Sequence, residues 1–277
     1  MMGGAHAQGG AHRPISGGPV IAVDGLDAHW GERKVLHEVS LRVAPREIVV
    51  IMGGSGSGKS TLLRHLLGLE RPTAGKVELL GVDLGSASAR AIHHLRRNMG
   101  VAFQGGALFS SLTVLENVIL PLQEHTRLAP ATMHIMARLK LEVVNLAGSE
   151  DLLPAQLSGG MVKRAALARA VVMDPQLLFF DEPSAGLDPV ISAELDGLIL
   201  QLRDAMHMSI VVVTHEIESA FSIADRLIVL DEGRVVAQGT VAEVRSSESP
   251  RVRALLNRQA SVPDFDPDAY LARLTRS

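Results

Sequence analysis

The chain has 277 residues, of which 47% are hydrophobic and 21% charged, with a formal net charge of -3 and no cysteine. This length and hydrophobic content predict one large domain or two small ones with a sizeable core, and the lack of cysteine excludes disulfides and thiolate metal sites. The slightly acidic balance argues against a nucleic-acid partner, because phosphate backbones are held mainly by concentrated Lys and Arg.

The N-terminal part of the chain predicts a tail, then strands around a glycine-rich loop. Residues 1–19 are rich in Gly, Ala and His and lack the apolar centre of a signal peptide, so we expect a disordered tail. Residues 20–43 alternate as short strands do, and the apolar run Ile48–Met52 predicts a buried strand before the loop. Helical spacing over Ser60–Leu69 is followed by a strand and turn over Gly75–Leu84.

The sequence pattern changes twice in the rest of the chain. Residues 89–156 carry helical segments with few strand signals, among them Pro130–Leu146. The continuous apolar runs Leu177–Asp181 and Ile210–Thr214 are typical of central parallel strands covered on both faces. A final hairpin is predicted around residues 231–233. No apolar run reaches the roughly 18 residues that a membrane-spanning helix needs.

The glycine-rich loop has the form G-x-x-x-x-G-K-[ST], directly after a strand and before a helix. It consists of Gly53, Gly54, Ser55, Gly56, Ser57, Gly58, Lys59, Ser60 and Thr61. Its glycines let successive backbone N–H groups point at one phosphate, and the helix that follows adds the positive end of its dipole. We expect Lys59 to reach the β- and γ-phosphates and Ser60 to ligate Mg²⁺. The alternative is a chance Gly/Ser-rich loop.

Two acidic residues, Asp181 and Glu182, end an apolar strand. A carboxylate at such a strand end can hold the hydration shell of Mg²⁺, because hard cations prefer oxygen ligands, and we assign this role to Asp181. Glu182 is the candidate general base that orients and polarises the attacking water. The alternative is that the two acids merely cap the strand.

The sequence Leu-Ser-Gly-Gly at residues 157–160 makes the nucleotide site more specific. Together with the phosphate loop and the Asp181-Glu182 pair, it resembles the ATP-binding subunit of the ATP-binding cassette (ABC) superfamily, from about residue 20 to residue 244. The resemblance implies an α/β fold: a P-loop NTPase (RecA-like) core with a mostly parallel sheet, an N-terminal antiparallel β part and an α-helical subdomain inserted at about residues 90–160. The ATPase domain would then occupy residues 20–245, followed by a C-terminal extension at 246–277.

The same resemblance implies roles for four further positions. Ser158, Gly159 and Gly160 would form an anion cradle that completes the ATP site of the opposite subunit in a homodimer, so that each site is built in trans. The residue after the second glycine is usually Gln in this family and is Met161 here, which leaves the cradle atoms unaffected. Gln104 matches the Q-loop glutamine, which reports on Mg²⁺ and links the core to the helical insertion.

His215 and Trp30 also match functional positions of the family. His215, in Thr-His-Glu, matches the switch histidine that contacts the γ-phosphate, although a lone His after a buried strand is more often structural. Trp30, the only tryptophan, matches an aromatic residue that stacks on adenine. A partly buried surface Trp is the alternative. Residues 183–189 look like the D-loop that contacts the opposite subunit.

Three separate segments resemble one subfamily, the Mla-type phospholipid transporter ATPases of lipid asymmetry maintenance, which are related to the Mce systems. They are residues 103–126, 157–170 and 249–253. The resemblance implies an ATPase pair on the cytoplasmic face of the inner membrane, attached through an integral permease whose coupling helix sits near residues 103–114. A STAS-domain protein and an MCE-domain lipid-binding protein are implied as further partners, and no nucleic acid.

Two alternatives stay open, the ATPase of a small-solute ABC transporter and a soluble regulatory ATPase of the ABC type. A GTPase or kinase would lack Gln104, Ser158 and His215 at these spacings. In the C-terminal extension, residues 251–258 and 269–274 each place apolar residues on one helical face. We hypothesise that this end crosses to the neighbouring subunit and steadies the dimer, the alternative being a flexible tail.

Overall fold

A computed structural model of the protein describes residues 18–256. Nearly all of the predicted N-terminal tail, the end of the 251–258 segment and the whole 269–274 segment therefore lie outside the described residues. The strands are β1 (Ile21–Trp30), β2 (Arg33–Val43), β3 (Ile48–Met52), β4 (Ala74–Leu79), β5 (Val82–Asp83), β6 (Met99–Ala102), β7 (Leu177–Asp181), β8 (Ser209–Thr214), β9 (Arg226–Asp231) and β10 (Arg234–Gly239). The helices are α1 (Lys59–Leu66), α2 (Ala89–Arg96), α3 (Val114–His125), α4 (Pro130–Val143), α5 (Gly159–Val171), α6 (Pro189–Met206), α7 (Ile217–Ile223), α8 (Val241–Arg245) and α9 (Pro250–Leu256), with a short 3-10 helix at Pro154–Gln156.

The strands form two sheets. The first has the order β2-β1-β4-β5 and is antiparallel throughout. The second has the order β10-β9-β3-β8-β7-β6, in which only the β9–β10 hairpin is antiparallel. This α/β architecture, with an N-terminal antiparallel part and a mostly parallel core, confirms the fold class expected from the sequence.

The central strands are buried because both faces of the parallel sheet are covered. Every residue of β3 and β8 is buried, which explains why these segments are apolar without alternation. Ile48, Val50 and Met52 pack into one core with the helices α3 to α6, whereas Val49 and Ile51 pack into a second core with α1 and the antiparallel sheet. The sheet therefore separates two cores and is the rigid base from which the loops at its edge project.

Helices α1 and α4 are shorter than their apolar patterns suggest. The predicted Ser60–Leu69 helix ends at Leu66, and Gly68 follows with φ 61°. The predicted Pro130–Leu146 helix ends at Val143, and Asn145 follows with φ 57°. Both residues adopt the left-handed conformation that closes helix C-termini, so the apolar residues beyond them pack from the turn rather than from the helix.

The region from 89 to 156 contains one strand, β6, at the outer edge of the parallel sheet. Its four residues, Met-Gly-Val-Ala, are too few to produce a clear strand pattern. The helices that follow, α3 and α4, form the helical layer beside α5. Within residues 18–256, no helix is both long enough and apolar enough to cross a membrane.

Candidate functional site

The sheet register brings three loops to one edge. In the pairing of β3 with β8, Met52 lies opposite Thr214, and in the pairing of β7 with β8, Asp181 lies opposite Val213. The three strands are parallel neighbours, so their carboxyl ends meet at the same edge of the sheet, where ligands of open α/β sheets bind. The glycine-rich loop, the Asp181-Glu182 pair and His215 are thus brought together although they are far apart in the sequence.

The backbone of the glycine-rich loop requires glycine at several positions. Gly56 and Gly58 have φ values of 76° and 103°, which side-chain-bearing residues rarely adopt. A Cβ atom on Gly53 would lie 2.3 Å from the carbonyl oxygen of Leu230. Gly58 precedes α1, and no side chain among residues 18–256 caps this helix, so within the described chain its first N–H groups remain open to an anion.

Lys59, the first residue of α1, is folded over the loop. Its Nζ donates to the carbonyl oxygens of Gly53 at 2.7 Å and Gly54 at 2.9 Å. Burial lowers the pKa of Lys59, and the nearby carboxylates of Glu182 and Asp181 oppose that shift. An ammonium group held by carbonyls and partly desolvated is ready to exchange those weak acceptors for phosphate oxygens, which form stronger charge-assisted hydrogen bonds.

A cleft of about 310 Å³ lies beside the loop. Trp30, Arg33 and Val35 line it together with residues 56–61. The Trp30 side chain is 65% exposed, and the guanidinium carbon of Arg64 lies 5.8 Å from the ring centre. The position of Trp30 suits a ring that stacks on a base bound in this cleft. Arg33 was not singled out from the sequence, because an Arg on a strand carries no signal by itself.

The carboxylate of Glu182 is buried and makes three contacts at the end of β8. Its Oε2 accepts hydrogen bonds from Thr214 Oγ1 at 3.0 Å and from the backbone N–H of His215 at 3.2 Å. Its Oε1 lies 2.9 Å from His215 Nδ1, which carries the hydrogen when Glu182 is ionised. Glu182 has a φ of 50°, a strained value typical of functional positions. Thr214 was missed in the sequence, where a Thr at the end of a strand is unremarkable.

Asp181 supplies a second carboxylate next to Glu182. Burial raises the pKa of Asp181, the charge of Glu182 raises it further, and Lys163 and Lys59 oppose the rise. Ser60 and Gln104, the other two expected Mg²⁺ ligands, are both exposed. No group of three His, Cys, Asp or Glu residues between 18 and 256 could hold a metal alone. The oxygen donors fit Mg²⁺ provided that phosphate oxygens complete the set.

Helix α5 holds the segment that contains Gln104 through two cations that the sequence analysis did not identify. Lys163 Nζ donates to the carbonyl oxygens of Gln104 and, at 3.1 Å, of Glu182. Arg169 donates to the carbonyls of Gly106 at 2.8 Å and Ala107 at 2.7 Å. Basic residues within a helix give no sign in the sequence that their targets are distant carbonyls.

The Leu-Ser-Gly-Gly segment is not among the described residues that line the cleft beside the glycine-rich loop. Ser158 is exposed and caps α5, with its Oγ accepting from Met161 N at 3.3 Å. Gly159 is exposed, whereas a Cβ on Gly160 would lie 2.9 Å from Ile191 Cγ2. Ser158 and Gly159 are therefore exposed at a helix N-terminus, and neither lines the cleft beside the chain's own glycine-rich loop.

The loop between β6 and α3 presents aromatic side chains to the surface. Phe103 and Phe109 are 40% and 57% exposed, whereas Leu108 packs partly against the core. Asn117 is fully buried and fixes this loop, since its Nδ2 donates to the carbonyls of residues 109, 112 and 113 and its Oδ1 accepts from Phe109 N. The hydrogen bonds of Asn117 therefore hold the loop in a conformation that leaves Phe109 exposed. An exposed aromatic side chain of this kind is compatible with the docking of a helix.

Comparisons with known proteins agree on the family, and the relatives are named for different transported substances. The pattern of the family described as ABC transporter matches residues 36–185. The intermembrane phospholipid transport system ATP-binding protein MlaF of Haemophilus influenzae is 38% identical over 244 residues, which cover 88% of this chain and 92% of that protein. The probable ribonucleotide transport ATP-binding protein mkl of Mycobacterium tuberculosis is 39% identical over 240 residues, covering 87% of this chain and 67% of that protein.

A solved structure has a similar fold. It is a dimeric, post-hydrolysis state of an ATP-binding cassette bound to ADP and Pi. Its TM-score to this chain is 0.73 and its identity 31%, and the match covers 80% of this chain and 98% of that one.

Asp181→Asn should raise the thermal unfolding midpoint of the ligand-free protein at neutral pH. The pKa of Asp181 is raised above its ordinary value of 3.8, so the folded state binds this proton more tightly than the unfolded chain does. The stability linked to that proton is complete below the unfolded pKa and is lost as pH rises through the folded one. The difference in unfolding midpoint between the variant and the wild type should therefore increase as the pH rises above 3.8.

Thermal scans without nucleotide and metal, at several pH values, would measure this gap. Asp151→Asn, at an exposed carboxylate outside the site, is the control and should leave the midpoint unchanged. A midpoint for Asp181→Asn equal to or below that of the wild type at neutral pH would contradict the expectation.

Proposed function

Because the chain belongs to the ABC transporter family and is an ATPase of that family, we propose that it powers phospholipid transport between the inner and outer membranes. The observation that carries the ATP-hydrolysis part of this proposal is the cluster at the sheet edge. There Lys59, Glu182 and His215 converge from three neighbouring parallel strands, beside a loop shaped for phosphate. Phosphoryl transfer to water needs this combination of a phosphate cradle, a positioned base and a group near the γ-phosphate.

The chemistry of the site follows from its contacts. Thr214 and the backbone of His215 fix Oε2 of Glu182, so Oε1 is the oxygen that can take the proton of an attacking water. Oε1 is paired with the His215 ring in this arrangement. When the ring turns to the γ-phosphate, it frees Oε1 for the water. Binding of the terminal phosphate and activation of the base are thereby linked through one side chain.

Mg²⁺ is proposed as the cofactor that accompanies ATP. When bound, it would neutralise charge that develops on the phosphate oxygens. Asp181, Ser60 and Gln104 would hold it together with phosphate oxygens. Bound Mg²⁺ would also offset the negative charge of the adjacent carboxylates of Asp181 and Glu182. Repulsion between these two groups adds to the effect of burial in raising the pKa of Asp181.

We propose that hydrolysis requires a head-to-tail homodimer. The cradle at Ser158 faces outward and does not line the phosphate cleft of the same chain. A two-fold axis that places it over the γ-phosphate of a second copy would make the two sites equivalent. Closure by ATP then requires only that the closed dimer binds ATP more tightly than the open one.

The phospholipid substrate is supported by two observations. Three separate segments of the sequence resemble the lipid-transport subfamily, and the H. influenzae relative bears that activity in its name. The mycobacterial relative is named for ribonucleotide transport, so a small-solute transporter is the second candidate. The substrate itself would be bound by other subunits and not by this ATPase.

We further propose that the chain associates peripherally with the cytoplasmic face of the inner membrane through a permease. The aromatic surface at Phe103 and Phe109 offers apolar area for a coupling helix of that permease. A STAS-domain protein and an MCE-domain lipid-binding protein would complete the assembly. The D-loop at residues 183–189 would contact the second copy, and no nucleic acid is involved.

Glu182→Gln should retain ATP binding and lose roughly 10²–10⁴-fold in hydrolysis rate, because the amide cannot accept the proton of the attacking water. Steady-state phosphate release and equilibrium ATP binding would measure the two effects. Glu218→Gln, an exposed neighbour on α7, is the matched control and should hydrolyse normally. Lys59→Ala should instead weaken binding itself. Near-normal turnover by Glu182→Gln would remove this residue from the role of base.

Ser158→Asp should abolish ATP-dependent dimerisation and preserve the fold. Asp caps helices as well as Ser does, but it places a negative charge where the γ-phosphate of the second copy would sit. Ser158→Asn is the matched neutral cap and should still dimerise. Size-exclusion chromatography with light scattering would measure dimerisation of the Ser158→Asp and Ser158→Asn variants. Both would be made in the Glu182→Gln background and measured with ATP. A Ser158→Asp protein that still dimerises would exclude the cradle from the trans site.

The lipid proposal would be tested by purifying tagged Glu182→Gln protein with ATP from solubilised native membranes and identifying bound proteins and lipids by mass spectrometry. We expect a multispan permease, an MCE-domain protein and phospholipid. Recovery of a permease with a solute-binding protein would leave the ATPase assignment intact and contradict the proposed lipid substrate. Recovery with no membrane partner would favour the soluble regulatory ATPase.

A further inference from the structure

The turn between β9 and β10 supports the glycine-rich loop through one backbone hydrogen bond. The N–H of Gly233 donates to the carbonyl oxygen of Ser57 at 3.0 Å. A trans peptide is planar, and its C=O and N–H point in opposite directions, so this bond holds the N–H of Gly58 pointing away from the turn. A loop that binds phosphate gains affinity when its N–H groups are oriented before the ligand arrives. The turn is therefore part of what prepares the loop.

The turn itself is tightly placed and carries two negative charges. Gly233 has a φ of 74°, and a Cβ there would lie 2.0 Å from the carbonyl oxygen of Val35 on β2. Its own carbonyl accepts from the N–H of His37 at 2.9 Å. The preceding Glu232 has a φ of 45°, which residues with side chains rarely adopt, and it follows directly on Asp231. Adjacent carboxylates repel each other, so this turn needs a cation to hold its conformation.

Helix α9 supplies that cation. Nη1 of Arg251 lies 3.1 Å from Oδ2 of Asp231 and 2.9 Å from Oε2 of Glu232. One guanidinium thus bridges both carboxylates of the turn. Because the turn in turn holds the glycine-rich loop, a continuous chain of polar contacts runs from α9 to the phosphate site.

The helix that carries this cation is firmly docked beside the nucleotide site. Val252, the next residue, is fully buried and belongs to the core that contains Met52 of β3. One turn further on, Leu255 lines a cavity of about 360 Å³ together with Gly53 and His215. The first helix of the C-terminal extension is therefore packed onto the ATPase domain of its own chain, next to two of the catalytic loops.

We propose that Arg251 is a positioning residue that couples α9 to the glycine-rich loop of its own chain through the β9–β10 turn. It acts by holding the turn, and the turn orients the loop for phosphate. Coupling between two sites is reciprocal, so ATP in the loop should also tighten the docking of α9. The C-terminal extension thereby senses the occupancy of the ATP site in its own subunit. This inference rests on the proposed role of the glycine-rich loop in binding ATP.

Equilibrium ATP binding tests the inference without relying on turnover. The parent protein would carry Glu182→Gln to prevent hydrolysis and Ser158→Asp to keep the chain monomeric, as checked by light scattering, so that no second copy contributes. Arg251→Gln should weaken ATP binding about 2- to 5-fold, the range that an exposed ion pair can supply. Arg251→Glu should weaken it further, and adding Glu232→Arg to that variant should restore part of the loss.

Arg253→Gln is the matched control, because it removes the same charge from the same helix. Nε of Arg253 donates to the carbonyl oxygen of Ser247 at 3.1 Å and not to the turn, so ATP affinity should stay at the parent value. Parent affinity in Arg251→Gln, or an equal loss in Arg253→Gln, would overturn the proposal. Lys59→Ala serves as the check on the site itself. If it binds ATP as tightly as the parent, the glycine-rich loop is not the ATP site, and the failure then lies in the proposed function.

Hydrogen exchange of α9 measures the coupling from the other end. The N–H of Arg253 donates to the carbonyl oxygen of Ser249 at 3.0 Å and reports on opening of this helix. ATP should slow its exchange in the parent by the same factor of about 2 to 5, and the effect should vanish in Arg251→Gln. A merely structural role would speed exchange in Arg251→Gln equally with and without ATP and leave the response to ATP intact. That result would contradict the proposal.

Discussion

The register of three parallel strands is the constraint on which the rest of the site depends. Because β3, β8 and β7 are adjacent and Met52, Thr214 and Asp181 end them at nearly the same level, their loops project from one edge of the sheet. The strands are buried on both faces, so a slip of one residue would turn every side chain into the opposite core. Packing of the two cores therefore fixes the distance between the glycine-rich loop, the carboxylate of Glu182 and His215.

Helix α5 is the second organising element, since it holds both the Gln104 segment and the end of β7. Ser158 caps its N-terminus, Lys163 reaches the Gln104 segment and the end of β7, and Arg169 holds the segment further along. These contacts fix the Gln104 segment and the end of β7 to one helix, whose first residues are exposed.

The site is assembled at a local cost in stability. Glu182 adopts a positive φ, burial and its neighbour raise the pKa of Asp181, and the buried Oγ atoms of Ser57 and Ser184 have no hydrogen-bond partner among the described residues. Such features are typical of sites that bind a charged ligand, where the ligand supplies the missing partners. The two well-packed cores on either side of the sheet offset that cost.

The sequence by itself determined the fold class, the buried strands and the phosphate loop, because continuous apolar runs and a glycine pattern between a strand and a helix reflect local requirements of backbone and burial. It also proposed Glu182 from its position after an apolar strand, and His215 and Gln104 only through resemblance, since single residues carry no geometry. The tertiary structure alone decided which groups they meet. Thr214 on Glu182, Lys163 on two distant carbonyls and the outward direction of Ser158 depend on strand order and helix packing, and such long-range contacts leave no periodic pattern in one sequence.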